Sequence, residues 1–231
     1  MAITQRYVAL VFRMAAVVLI ATGLARLIGL FGDDPVWSTF AFYTTQSNVL
    51  VLVWMLVMVG VTIGDIVRHG PRGGAAPWPR LGAAVMMAIT VTMVIYLVIL
   101  APTFYVQGDS VYVPFTLTDD LIHIVTPCLA IADWFLFAPK GRLRWFDPPL
   151  WAIIPYAYLT FAFLWPALGG DFGEGRRYPY PFMDVAANGV GGVALQILVL
   201  SVTLIAFGYV FVVADWLLGR ASRRPRRPPA A

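Results

Sequence analysis

Charge is what this chain has least of. Lysine, arginine, aspartate and glutamate make up 12% of its 231 residues, about half the roughly 25% share of an ordinary soluble domain. With 60% apolar residues and a mean hydropathy of +0.80, too few polar groups remain to clothe a water-facing surface. Cysteine is nearly absent: Cys128 stands alone inside an apolar run, which excludes an intramolecular disulfide. The two histidines, His69 and His123, lie far apart with no Cys or His at metal-ligand spacing. No nucleotide-binding glycine motif or haem ligand pair occurs, so no cofactor is expected. The net charge of +4 sits in clusters between apolar runs rather than along a face, which argues against a nucleic-acid partner and for orientation in a membrane.

Long apolar runs are what the chain has instead. A spanning helix needs about 20 mostly apolar residues, and six stretches qualify: Tyr7 to Phe31, Thr39 to Gly64, Leu81 to Thr103, Asp120 to Ala138, Pro149 to Leu168 and Gly189 to Leu218. Turn-forming runs such as Gly32-Asp33-Asp34-Pro35, Gly70-Pro71-Arg72-Gly73-Gly74 and Asp147-Pro148-Pro149 separate them. The expected fold is all-α and polytopic: one six-helix transmembrane domain over residues 1–219 and a basic, disordered Arg/Pro tail over 220–231.

The placement of basic residues gives an orientation. Loop 2 carries Arg68, Arg72 and Arg80, loop 4 carries Lys140, Arg142 and Arg144, and the tail carries Arg220, Arg223, Arg224, Arg226 and Arg227. Loops 1 and 3 have no Lys or Arg, and in loop 5 Arg176 and Arg177 are balanced by Asp171 and Glu174. Alternating basic loops place both ends in the cytoplasm, where the tail would meet anionic lipid. Trp37, Trp145, Trp165 and Trp216 fall near span ends as interface anchors. Arg13, the apolar stretch Met14 to Ala25 and the small residues near Ala25 also resemble a signal peptide, which would leave five spans. The apolar continuation Leu27 to Phe31 favours a retained helix.

Polar residues inside the spans direct attention to function, because they are costly in hydrocarbon and face the bundle interior. Thr44, Thr45, Gln46, Ser47 and Asn48 run consecutively near the start of the second span; Thr44, Ser47 and Asn48 share one face at i, i+3 and i+4. His123 lies early in the fourth span, after Asp119 and Asp120. Both spans run inward from the outer side, so counting residues brings Thr44 and His123 to within roughly 3 Å of depth, and Arg26 joins the same layer from the first span. A threonine hydroxyl becomes a nucleophile when a base takes its proton, and a neutral imidazole can be that base. Asp119 or Asp120 could orient the ring, and Asn48, Gln46, Ser47 or Arg26 could bind substrate or donate to an oxyanion. Each also has a plainer reading: back-bonding for Thr44, a paired structural His123, a helix-end role for the two aspartates under a Thr118 cap, internal pairing for Arg13, pairing of Asp65, Asp133 and Asp215 with the basic loops, and packing for Thr90, Thr92 and Tyr96.

Loop 5 reads Arg176-Arg177-Tyr178-Pro179-Tyr180-Pro181-Phe182-Met183-Asp184. Its prolines forbid a regular helix, and it lies on the side of the polar layer, where Tyr180 could cover a site. Asp184 or Asn188 would stand near the cap of the sixth helix.

Tyr43-Thr44-Thr45-Gln46-Ser47-Asn48, His123 followed by Pro127, Asp133-Trp134 and Tyr178-Pro179-Tyr180-Pro181-Phe182 together resemble the bacterial "Pr-six-Pr" six-pass membrane proteins. Those are similar to the androgen-induced and androgen-dependent membrane proteins of animals, threonine hydrolases of fatty acid esters of hydroxy fatty acids. The resemblance covers nearly the whole chain in span order. It implies a bacterial inner (plasma) membrane protein in contact with the lipid bilayer, with a nucleophile at Thr44, a base at His123 and a hydrophobic lipid ester as substrate. The animal proteins lack the Gln-Ser-Asn run, and the spacing after the histidine differs, so the dyad carries over better than the substrate. The competing expectation is a non-catalytic lipid-binding or transport protein whose polar residues line a pathway or hold a head group.

Overall fold

The computed structural model describes residues 2–102, 114–173 and 175–223. Among these there is no strand, and six helices are long and apolar enough to cross a membrane: α1 (Arg6–Ile28), α2 (Tyr43–His69), α3 (Pro79–Leu100), α4 (Leu117–Phe137), α5 (Asp147–Ala167) and α6 (Val185–Arg223). The chain is an integral membrane protein. In hydrocarbon a backbone must satisfy its own polar groups, and the helix does so within one segment. Thr103, Glu174 and the tail from residue 224 lie outside the described residues. Residues 220–223, expected in the tail, continue α6.

Helix ends follow local chemistry. Gly29 closes α1 with φ 78°, a left-handed turn open to glycine, and its N–H reaches the carbonyls of Ala25 and Arg26. Pro79 opens α3. Two boundaries differ from the sequence reading by several residues. The second span was expected from Thr39, but Trp37–Ala41 forms a separate 3-10 turn and extended Phe42 breaks the helix, so α2 starts at Tyr43. The fourth span was expected from Asp120, but Thr116 caps it and it starts at Leu117. The cap is therefore Thr116, not Thr118, because the Thr116 hydroxyl is the one that accepts from the Asp119 amide (3.2 Å).

Helices α1 to α4 pack into one core. Helix α5 joins through its first turn, which touches α3 and α6. Helix α6 approaches closely near its far end: a Cβ on Gly208 would stand 2.9 Å from the Pro148 side chain, and one on Gly219 would stand 2.8 Å from the Gly141 backbone. At its near end α6 packs on the 3-10 turn Pro181–Met183, beyond a kink at Gly189 (φ 67°). Between these contacts α6 stands off from α3 and α5, and a cavity fills the gap.

The half of the bundle near the termini carries buried polar groups, most of them satisfied. Fully buried Arg13 donates to both carboxylate oxygens of Asp133 (2.7 and 3.2 Å), to the Thr62 hydroxyl (2.8 Å) and to the Ala75 carbonyl (2.7 Å). Asp133 thus pairs with a spanning helix rather than with a basic loop as expected, because Arg13 lies on the facing side of α1. Arg6 binds the carbonyls of Gly70 and Arg72 (2.7 Å each). The Asp215 Oδ2 accepts from the amides of Arg142 and Leu143 (2.7 and 2.8 Å), and Asp147 pairs with Arg80.

Candidate functional site

Two irregular helix turns position the site at the end of the bundle away from the termini. The first is a π-helical turn at Leu121–Val125 in α4. Pro127 has no N–H to give to a carbonyl one turn earlier. The helix widens there: the Thr126 amide and hydroxyl both reach back five residues to the Leu121 carbonyl, the hydroxyl at 2.8 Å. In that register the Ile122 carbonyl faces position 127, the proline, and it is the Asn48 amide of α2 that donates to it instead (3.0 Å). The second π turn, Tyr96–Leu100, lies on α3. Single π turns of this kind concentrate at functional sites.

These turns bring one residue from each of three helices together. The Thr44 Oγ1 lies 3.5 Å from the His123 Nε2. On the other side of the ring, Nδ1 stands 3.8 Å from the Asp119 carboxylate and has no hydrogen-bond partner. The Tyr96 ring stacks flat on the imidazole, with centroids 4.0 Å apart and planes 6° apart, and its hydroxyl accepts from the Phe115 amide (3.0 Å). The Asp119 carboxylate is itself held by the Thr116 hydroxyl (2.8 Å). His123 is therefore packed on one face by Tyr96, with Thr44 and Asp119 near its two nitrogens. An i, i+4 spacing puts Asp119 beside the ring, which resolves the choice between it and Asp120.

Thr44 is the second residue of α2, where backbone N–H groups lack helical partners. The Thr44 carbonyl accepts from both the Ser47 hydroxyl (3.1 Å) and the Asn48 amide (2.8 Å). Ser47 also bonds the Thr92 hydroxyl (2.8 Å), so α2, α3 and α4 are pinned around the threonine. Tyr180, from loop 5, is half-buried with its phenol turned towards Thr44. Burial raises its pKa above the ordinary tyrosine value; the Thr44 hydroxyl and the Thr44 and Tyr43 backbone groups at the phenolic oxygen act in the opposite direction.

The remaining sequence candidates fall elsewhere. Gln46 is exposed and donates to the Phe40 carbonyl (3.1 Å); at two residues from Thr44 it points to the other side of α2. Arg26 is exposed on the rim and donates to Thr118 (3.1 Å), not to Thr44. Asp120 is half-buried and is not the carboxylate beside the ring. Asn48 and Ser47 position Thr44 through its carbonyl, and the buried Asn48 Oδ1 is left without a partner. Asp184 caps α6 through the amides of Ala186 and Ala187 (2.8 and 3.2 Å). Tyr96, read from the sequence as packing, belongs to the site; its position one heptad after Ile89 on the buried face of α3 was its only signal.

In front of Thr44 the cavity opens. It encloses about 930 Å³, counting the space at its mouth, and is bounded by α2, α3, α5, α6 and loop 5. Thr44 and Tyr180 stand at one end and Trp151 and Pro148 at the other. Its walls are almost wholly apolar, from residues such as Met87, Val91, Leu159 and Leu204. His123 is not among them, so Thr44 separates the imidazole from the cavity. Among the described residues no three His, Cys, Asp or Glu side chains gather as a metal site would need.

No family model, curated protein or solved structure matches this chain.

Proposed function

We propose that this protein is an intramembrane hydrolase of lipid esters, with Thr44 as nucleophile and His123 as base. The observation that carries the reading is the 3.5 Å approach of the Thr44 hydroxyl to the His123 Nε2 at the end of an apolar cavity. Hydrogen-bond reach is about 2.6–3.2 Å, and such contacts are often looser without substrate. In the reaction Thr44 Oγ1 attacks the ester carbonyl while its proton passes to Nε2. The imidazolium faces the Asp119 carboxylate and gives that proton to the leaving alkoxide as the C–O bond breaks. Water then attacks the acyl-threonine with the same imidazole as base, releasing the acid and restoring Thr44. The Tyr180 phenol, held by the backbone at the start of α2, stands beside Thr44 as the donor for the carbonyl oxygen that gains charge.

The resemblance to the six-pass threonine hydrolases selects the same pair and suits a lipid substrate, a bacterial inner (plasma) membrane and cytoplasmic ends. The apolar cavity is also what a lipid-binding or transport protein would carry, but its far end closes where Gly208 meets Pro148. Labelling with a fluorophosphonate in detergent separates the two readings. Wild type should label, and Thr44→Ala and His123→Ala should not. Labelling that persists in both variants, or transport without ester cleavage in proteoliposomes, would overturn the hydrolase reading.

A further inference from the structure

The cavity has a measurable depth below the nucleophile. The Ser47–Thr92 bond sets the level between antiparallel α2 and α3. Thr44, three residues before Ser47, is therefore level with Ile95, three residues after Thr92. Both Ile95 and Met87 line the cavity, and the eight residues between them span about 12 Å at 1.5 Å each. On α6 the lining runs from Ile197 to Ile205, again eight residues and about 12 Å; on α5 it runs from Pro148 to Leu159, about 16 Å at the same rise, with Pro148 and Trp151 together at the floor. The floor is firm, because buried Trp151 sits there and Gly208 is pressed against Pro148 and Trp151. An extended hydrocarbon advances about 1.25 Å per carbon, given C–C bonds of about 1.5 Å. The mouth lies beside exposed Tyr156, which also lines the cavity.

We infer that the cavity is a ruler for the acyl half of the substrate, taking one straight chain of about ten carbons from the carbonyl at Thr44 to the floor at Trp151. The inference rests on the proposed hydrolase reading for the position of the carbonyl. The lining also continues past the level of Thr44 to Leu100, and the alcohol half of the ester lies on that side, with Tyr180, outside the ruler.

The test uses the full-length protein in nanodiscs and p-nitrophenyl esters of straight-chain acids from four to eighteen carbons. Wild-type kcat/KM should peak near ten carbons and fall at least tenfold by sixteen. Ala152→Phe fills the slot just above the floor and Ser201→Phe fills it from α6; each should move the peak to shorter chains. A Thr44-dependent profile that is flat with chain length in the wild type would overturn the ruler whether or not the variants fold. So would folded variants that keep the wild-type peak. A parallel measurement separates this from failure of the hydrolase reading: a ten-carbon methyl ester with a terminal diazirine should photolabel the Trp151–Pro155 segment in Thr44→Ala as in wild type. Labelling there without Thr44-dependent turnover removes the chemistry and keeps the slot; labelling elsewhere removes the slot.

Discussion

Around Arg13 each polar contact is short and the guanidinium is shared among a carboxylate, a hydroxyl and a carbonyl. Around His123 the contacts are 3.5 and 3.8 Å long, and two buried polar atoms, His123 Nδ1 and Asn48 Oδ1, have no hydrogen-bond partner, against one, Asp215 Oδ1, in the other half of the bundle. Both layers are buried polar groups shared between spanning helices, but the second meets the apolar cavity through Thr44, whereas the first touches a smaller pocket through Asp133. A saturated cluster holds a shape. An under-satisfied one keeps capacity for a group that arrives later, such as the charge that develops on an attacked carbonyl.

The comparison can be broken most severely at Thr44. Thr44→Ala should abolish fluorophosphonate labelling and ester turnover while shifting the thermal midpoint less than a break in the Arg13 cluster does; His123→Ala should lower kcat/KM about 10²–10⁴-fold. Asp133→Leu should do the reverse. It leaves Arg13 buried without its counter-ion, a loss of about 3–5 kcal/mol to be read as a lower unfolding midpoint in detergent, and Arg13→Met in the same chain should recover part of it. Asn48→Ala tests whether positioning differs from bonding: it frees the Ile122 carbonyl and leaves the Thr44 carbonyl to Ser47 alone, and should lower kcat more than it raises KM. Asp119→Asn should reduce kcat by about tenfold or more and change its pH profile, an effect that loss of packing alone would not give.

The smallest effect sharpens the other layer. Lys140, the only lysine in the chain, donates to the carbonyls of Trp134 and Ala138 (2.6 and 2.7 Å) beside the Trp134 ring. Burial lowers its pKa to about 8, although Asp215 and Asp133 act to raise it. Because the neutral amine is the reactive form, its acylation by an amine-directed reagent should rise through a midpoint near pH 8. A midpoint at the ordinary lysine value of about 10.4 would show that the amine is solvated.

The six spans were legible because each depends on one local property, an apolar run long enough to cross hydrocarbon, and because Gly29, Gly70 and Pro79 mark ends by their own backbone preferences. Thr44 and His123 were legible as a pair from depth, although the counts behind that depth were wrong at both ends. Helix α2 starts four residues later than expected and α4 three residues earlier. The two still meet because α2 begins beneath a lid formed by Ala41, Phe172, Tyr180 and Met183. What the sequence could not give depends on partners distant in the chain. The choice of Asp119, the stacking of Tyr96 and the bond from Asn48 to Ile122 all follow from a π turn that one proline induces. The cavity follows from where α6 fails to touch its neighbours.

Arg13 also bears on how the chain is made. An arginine in a lone spanning helix costs up to about 2.5–3.5 kcal/mol, most at the centre, and Arg13 lies about two turns into α1. Its counter-ion, Asp133, is 120 residues away on α4. During synthesis α1 therefore emerges with an unmatched charge long before its mate exists. The bond that neutralises Arg13 can form only once α4 has been added, which ties the final packing of the first helix to the arrival of the fourth.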